Sequence, residues 1–172
     1  MGKPEIHSRR VIGDGFSISR ADLLQRFAMT IRYSGKFMSL ACNEPELKHL
    51  LGTVAFTRNF GFLLAGIGDG ECTIEVPFQA AFERPGGVVS GQVFMAAADV
   101  AMWLAIKTKL GLNDASVTAE MKTNFLGSAK REGFRCTARV LKLGRRLIYG
   151  VAECVDANGR LLTHSTITYI RP

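Results

Sequence analysis

The sequence predicts an α+β domain in which one antiparallel sheet wraps around a single long central helix. Three observations lead there. The run from Gln92 to Ile106 holds one charge, Asp99, in fifteen residues and reads as a buried helix. Four segments after it alternate apolar and polar side chains between glycine-containing turns, as antiparallel strands do. Two more strand-like segments precede it. A sheet with one apolar face and a helix that is apolar nearly all round bury themselves best against each other.

Taken in order, residues 1 to 44 read as a helical extension and residues 45 to 172 as the main body. Ser19 with Asp22 resembles a capping box, and Leu23, Leu24, Phe27, Ala28 and Ile31 follow at amphipathic spacing. Asn43 as cap and Glu46 in the first turn announce a second helix, with Leu47, Leu50, Leu51 and Val54 facing inward and an end near Arg58. Strands from Gly61 to Ile67 and from Glu71 to about Phe78 flank a Gly68-Asp69-Gly70 turn. The glycines from Gly66 to Gly70 invite comparison with a nucleotide-binding loop. A strand follows them, so no helix N-terminus is available to hold a phosphate, and a hairpin turn is the better reading.

The loop Pro85-Gly86-Gly87 leads to the long helix, which stops at Gly111 with Lys107 and Lys109 in its last turns, as the helix dipole prefers. The last four strands run from Ser116 to Leu126, Phe134 to Lys142, Leu147 to Asp156 and Leu161 to Ile170, and can pair as an antiparallel meander. In the first of them Val117, Ala119, Met121 and Phe125 alternate with Thr118, Glu120, Lys122 and Asn124, which marks a sheet buried on one face. Asn158-Gly159 is a hairpin signal.

With 172 residues, 47% of them hydrophobic and 22% charged, the chain is long enough for a sizeable core and is not a disordered polymer. Cys42, Cys72, Cys136 and Cys154 form no Cys-x-x-Cys pair and have no histidine at zinc-ligand spacing, so they read as reduced core residues of a cytoplasmic protein, with no metal. The first residues lack the sections of a signal peptide, and no apolar stretch is long enough to span a bilayer. The formal charge of +7 suggests an anionic partner. Because the basic residues are scattered, with no basic run or basic helix, a small polyanionic ligand fits better than nucleic acid.

Asp99 is the residue that asks for a function. Its helical neighbours Met95, Ala96, Met102 and Trp103 offer no cation, so its partner must come from another element. Ionised groups withdrawn from water cluster at functional sites, although a core aspartate paired with a distant arginine, or one capping a loop, is the plain alternative. The histidines are His7, His49 and His164, and none is placed for chemistry: the first is in the tail, the second on a helix surface and the third in a terminal strand. Ser90 has no Gly-x-Ser-x-Gly elbow around it, which argues against a Ser-His-Asp hydrolase.

The run Ser90-Gly91-Gln92-Val93-Phe94-Met95-Ala96-Ala97-Ala98-Asp99-Val100-Ala101-Met102 resembles the helix-start motif of the phenylacetic-acid-degradation type acyl-CoA thioesterases, which have the hot-dog fold. Those proteins read His-Gly-Gly, then a helix of small residues with Asp nine positions after the His. The strand from Val117 to Leu126 and the turn Leu143-Gly144-Arg145-Arg146-Leu147 are similar to the family's strand after the helix and its Gly-Arg-Arg turn. The resemblance covers about residues 45 to 172. It implies a thioesterase without metal or organic cofactor, with Asp99 as water activator or nucleophile, Gly91 and Gln92 as the oxyanion region, and Thr118 as an aid to water positioning. Two positions depart, with Ser90 in place of the family's His and Arg84 in place of its Asn.

Thioester hydrolysis needs donors aimed at the developing oxyanion and a base or nucleophile near the carbonyl carbon. The first N–H groups of the central helix, at Gly91 and Gln92, are unpaired by construction and sit at the positive end of its dipole. Eight residues at 1.5 Å each put Gly91 about 12 Å from Asp99, too far for one carbonyl to feel both. A homodimer, or a dimer of dimers, with Asp99 of one copy facing Gly91 of the other would close that gap. The expected partner is therefore an acyl-CoA, with neither nucleic acid nor membrane involved. Met95, Met102 and Trp103 are candidates for the acyl pocket, and Arg145 and Arg146 for the coenzyme A phosphates. The competing expectation is a non-catalytic acyl-CoA or fatty-acid binding protein that kept the pocket.

Overall fold

The computed structural model describes residues 40–172, so the helix expected between Ser19 and Ile31 lies outside the described residues. Helix α1, Glu44–Thr53, starts at Asn43 as expected. The Asn43 side-chain oxygen accepts from the Glu46 N–H at 2.9 Å, and the Glu46 carboxylate accepts from the Asn43 N–H at 2.8 Å, a reciprocal capping box. The single helix expected to reach Arg58 is broken instead. Val54 is extended and a second helix, α2, Ala55–Phe60, begins after it. Gly52, Thr53 and Val54 are weak helix formers, and the buried Thr57 hydroxyl holds the break from within, 2.6 Å from the Leu51 carbonyl and 3.0 Å from that of Val54. The body begins ahead of residue 45: the Ala41 N–H donates to the Thr108 carbonyl at 2.8 Å, and Cys42 is in the core.

Strands β1, Leu63–Gly68, and β2, Glu71–Val76, form the expected hairpin. Its turn serves as an anchor. The Gly70 N–H donates to the Thr108 hydroxyl at 2.9 Å, and Lys109 Nζ reaches Asp69 at 2.7 Å. Next comes a ribbon that the sequence reading missed: β3, Glu83–Arg84, and β4, Val88–Val89, close around Gly86 and Gly87, both at positive φ. Strands of two residues leave no periodicity to read.

Helix α3, Gly91–Leu110, is the long central helix and ends at Gly111. Strands β5, Val117–Phe125, β6, Phe134–Leu143, β7, Leu147–Val155, and β8, Leu161–Ile170, complete an antiparallel sheet ordered β1-β2-β6-β7-β8-β5. Only β6, β7 and β8 form a meander. Strand β5 pairs with β8, because the other edge of β6 is already taken by β2. That edge position also corrects the expectation that β5 buries one face, since Val117 is 58% and Phe125 53% exposed.

Helix α3 packs on β2, β6 and β7 through residues small enough to permit close approach: Ala97, Ala98, Ala101 and Ala105 on the helix, Ala138, Gly150 and Ala152 on the strands. The Phe94 and Phe134 rings meet at 4.4 Å between centroids. All four cysteines are free and buried. No described helix is long and apolar enough to cross a membrane.

Candidate active site

One stripe of α3 escapes full burial, running through Gln92, Met95, Ala96, Asp99 and Trp103 at the spacing of a helix face. Asp99 is therefore half-buried, and its partners come from other elements. The Thr118 hydroxyl, at the start of β5, donates to Asp99 Oδ1 at 2.7 Å. The Tyr169 hydroxyl, near the end of β8, lies 2.7 Å from the same Oδ1 and 3.1 Å from the Asp99 backbone oxygen. Among the described residues Oδ2 accepts no hydrogen bond and no arginine or lysine pairs with Asp99. Burial first, and then the charge of Asp99, push the Tyr169 phenol far above its ordinary pKa, against a smaller lowering by Thr118. Tyr169 is thus a donor at any working pH.

Asp99, Thr118 and Tyr169 open onto a cleft of ≈ 320 Å³ whose other walls include Val100 and Trp103 of α3, Ser116 and Val117, and Val54, Phe56 and Thr57 from the break between α1 and α2. The break that the sequence concealed is thus what brings α2 to the cleft. Lys107 is the nearby cation, 5.2 Å from the Trp103 ring centroid. Its Nζ is committed elsewhere, donating to the carbonyls of Leu112 at 2.9 Å and Asp114 at 3.0 Å, where it holds the loop after α3.

The remaining candidates are spread more widely. Ser90 is the N-cap of α3, but its side chain makes no capping bond; Gly91 and Gln92 form the first turn, and their N–H groups have no backbone partner among the described residues. The Phe125 ring lies against this end, where a Cβ on Gly91 would come within 3.0 Å of a ring carbon. A single protomer does not bring this turn to Asp99. Met102 is corrected from pocket to core: it is buried, and its thioether lies against Gly150 of β7. Met95 is 39% exposed but outside the cleft. Trp103 lines the cleft as expected.

Arg145 and Arg146 are exposed in the β6–β7 turn, with no ion pair among the described residues. Ile170 pairs with both Val117 and Leu147, so this turn shares an end of the sheet with the cleft. The Arg171 N–H fixes it by donating to the Arg146 carbonyl at 2.8 Å. Sequence reasoning missed Tyr169, although β8 alternates, with Ser165, Ile167 and Tyr169 facing inward. A phenol on the buried face of a strand needs a hydrogen-bond partner. Among the described residues no group of three His, Cys, Asp or Glu is placed to hold a metal.

Residues 86–163, from the β3–β4 loop into β8, match the sequence model of the thioesterase superfamily. A protein of Saccharolobus solfataricus named "putative esterase" is 37% identical over 94 residues, which cover 54% of this chain and 65% of that protein, just under two thirds of its length. Among solved structures, a conserved protein of Pseudomonas aeruginosa has a TM-score of 0.68 at 28% identity, covering 76% of this chain and all of the other. A protein of the Escherichia coli phenylacetic acid degradation operon shares the fold with a TM-score of 0.67 at 16% identity, over 72% of this chain and 88% of its own. Sheet order and central helix give this chain the hot-dog fold of these structures, and its residues 86–163 are similar to the thioesterase superfamily.

Proposed function

We propose that this protein is a thioester hydrolase that cleaves acyl-CoA or aryl-acyl-CoA as a homodimer or a dimer of dimers. The observation that carries the reading is Asp99, a carboxylate held at one oxygen by two hydroxyls, with its other oxygen unengaged among the described residues, beside an apolar cleft. The superfamily match and the esterase name of the Saccharolobus relative favour the same chemistry.

In this scheme Asp99 takes a proton from water, and the resulting hydroxide attacks the thioester carbonyl carbon. The oxyanion is received by the N–H groups of Gly91 and Gln92 of the partner subunit, backed by the positive end of α3. As the carbon–sulfur bond breaks, the thiolate leaves and takes up the proton, giving a carboxylic acid and coenzyme A. Attack by the carboxylate itself would form an anhydride that water then opens, with the same products. Thr118 orients Asp99, and Ser90 stands beside the oxyanion turn. No organic cofactor or metal takes part.

Geometry supports the dimer. Gly91 and Asp99 are about 12 Å apart along one helix, whereas the exposed stripe of α3 and the exposed apolar residues of edge strand β5 offer a surface for a second copy. The reduced, buried cysteines fit a cytoplasmic location.

Arg145 and Arg146 are the groups we assign to the coenzyme A phosphates, because guanidinium forks bind phosphate oxygens and stay charged. Arg145→Glu or Arg146→Glu is expected to raise KM for an acyl-CoA roughly tenfold, with kcat and the KM of a short acyl-pantetheine nearly unchanged. Equal losses on both substrates would remove these arginines from nucleotide binding.

A second reading has its own observations: Ser90 replaces the family's His, Arg84 its Asn, and the Phe125 ring lies against Gly91. These fit a non-catalytic acyl-CoA or fatty-acid binding protein. A thiol-release screen over acyl chain lengths and aryl-acyl-CoAs separates the two. Turnover supports the hydrolase, and saturable binding without thiol release supports the binder.

A further inference from the structure

Tyr169 lies beyond residue 163, where the family match ends, yet it makes one of the two hydroxyl contacts to Asp99. We infer that Tyr169 is a positioning residue that, together with Thr118, locks Asp99 through Oδ1 and so assigns Oδ2 as the oxygen that meets water or the thioester carbon. The inference rests on the hydrolase reading for its kinetic consequence, but not for the contact itself.

Two hydroxyl donors converge on Oδ1, each at 2.7 Å, from the two strands that pair side by side at the sheet edge: Thr118 on β5 is the register partner of Tyr169 on β8. The sheet itself therefore sets the spacing of the two donors, and the carboxylate satisfies both through one oxygen in a single rotation about its Cβ–Cγ bond, the half-turn that exchanges its two equivalent oxygens aside. In that rotation Oδ2 accepts nothing from the described residues. Satisfying a buried phenol does not by itself require this arrangement, because the Asp99 backbone oxygen at 3.1 Å is also within reach. The shorter contact is to the charged group, where a hydrogen bond is stronger. The phenol keeps its proton, since burial and the Asp99 charge both oppose its loss.

The test uses Tyr169→Phe, which keeps the ring and removes the hydroxyl. Its kcat on an acyl-CoA that the wild type cleaves is expected to fall about tenfold to a hundredfold, the scale of a misplaced reacting group. KM should change by less than about twofold and the melting temperature little. In an Asp99→Asn background the same change should cost nothing further, which a general structural role would not produce. Tyr149→Phe, on the exposed face of β7, is the control that leaves kcat unchanged.

A readout independent of turnover is the Cζ carbon signal of labelled tyrosine, identified for Tyr169 by its loss in Tyr169→Phe. It is expected to move in Asp99→Asn, while the signal of the exposed Tyr149 stays in place. Full kcat in Tyr169→Phe, a rise in KM alone, or an unmoved Tyr169 signal in Asp99→Asn would overturn the inference. A wild type that cleaves no thioester would overturn the hydrolase reading, and the carbon signal would still support or overturn the link between Tyr169 and Asp99.

Discussion

Asp99→Asn is expected to lower thioester hydrolysis by about a thousandfold or more, with the protein still folded, because the change removes the charge and basic oxygen but keeps the shape. The asparagine carbonyl can still accept from Thr118 and Tyr169, so the wall of the cleft survives. Steady-state rates and a thermal melt on the same preparation decide the matter. A folded variant with full activity removes Asp99 from the chemistry. Activity lost together with a melting temperature lowered by tens of degrees would give the residue a structural role instead.

Gly150→Ala is expected to destabilise the protein by about 3 kcal/mol, at the upper end of what overpacking costs. A Cβ at this position of β7 would collide with the Arg139 carbonyl oxygen of β6 and with the Met102 thioether, whose sulfur would lie 3.0 Å away. Neither can retreat easily, since one belongs to the sheet ladder and the other is buried between α3 and the sheet. For a domain of this size the melting temperature should fall by roughly 6–12 °C. The activity should fall as well, because Met102 is three residues from Asp99 and a displaced α3 carries the carboxylate away from Thr118 and Tyr169. An unchanged melting temperature would contradict the close approach of helix and sheet.

What could be read from the sequence was what repeats along it. The long apolar run of α3, the alternation in β6 to β8 and the capping box at Asn43 each leave a local signature, and each element lies where that signature puts it. Asp99 stood out for the same reason, as a charge that breaks a pattern, and Thr118 followed from the resemblance. The misses come from tertiary effects. The break at Val54 is held by the buried Thr57 hydroxyl, which no periodicity announces. Strand β5 alternates like a half-buried strand, yet sheet order puts it at an edge. Met102 and Trp103 are adjacent in sequence, but one helical step points the first into the core and the second into the cleft. Tyr169 is seventy positions from Asp99 in the chain, and only the pairing of β8 with β5 brings it there.

In the proposed dimer each site is shared, with Asp99 from one subunit and the Gly91 turn from the other. Subunit mixing tests it most directly. Asp99→Asn protein and Gly91→Phe protein, each inactive alone, are unfolded together in equal amounts, refolded and assayed for thiol release. If half of the dimers are mixed and each carries one intact site, activity should return to about a quarter of the wild-type value. No recovery, with mixed dimers demonstrated by mass, or an active monomer by light scattering, would contradict the shared site.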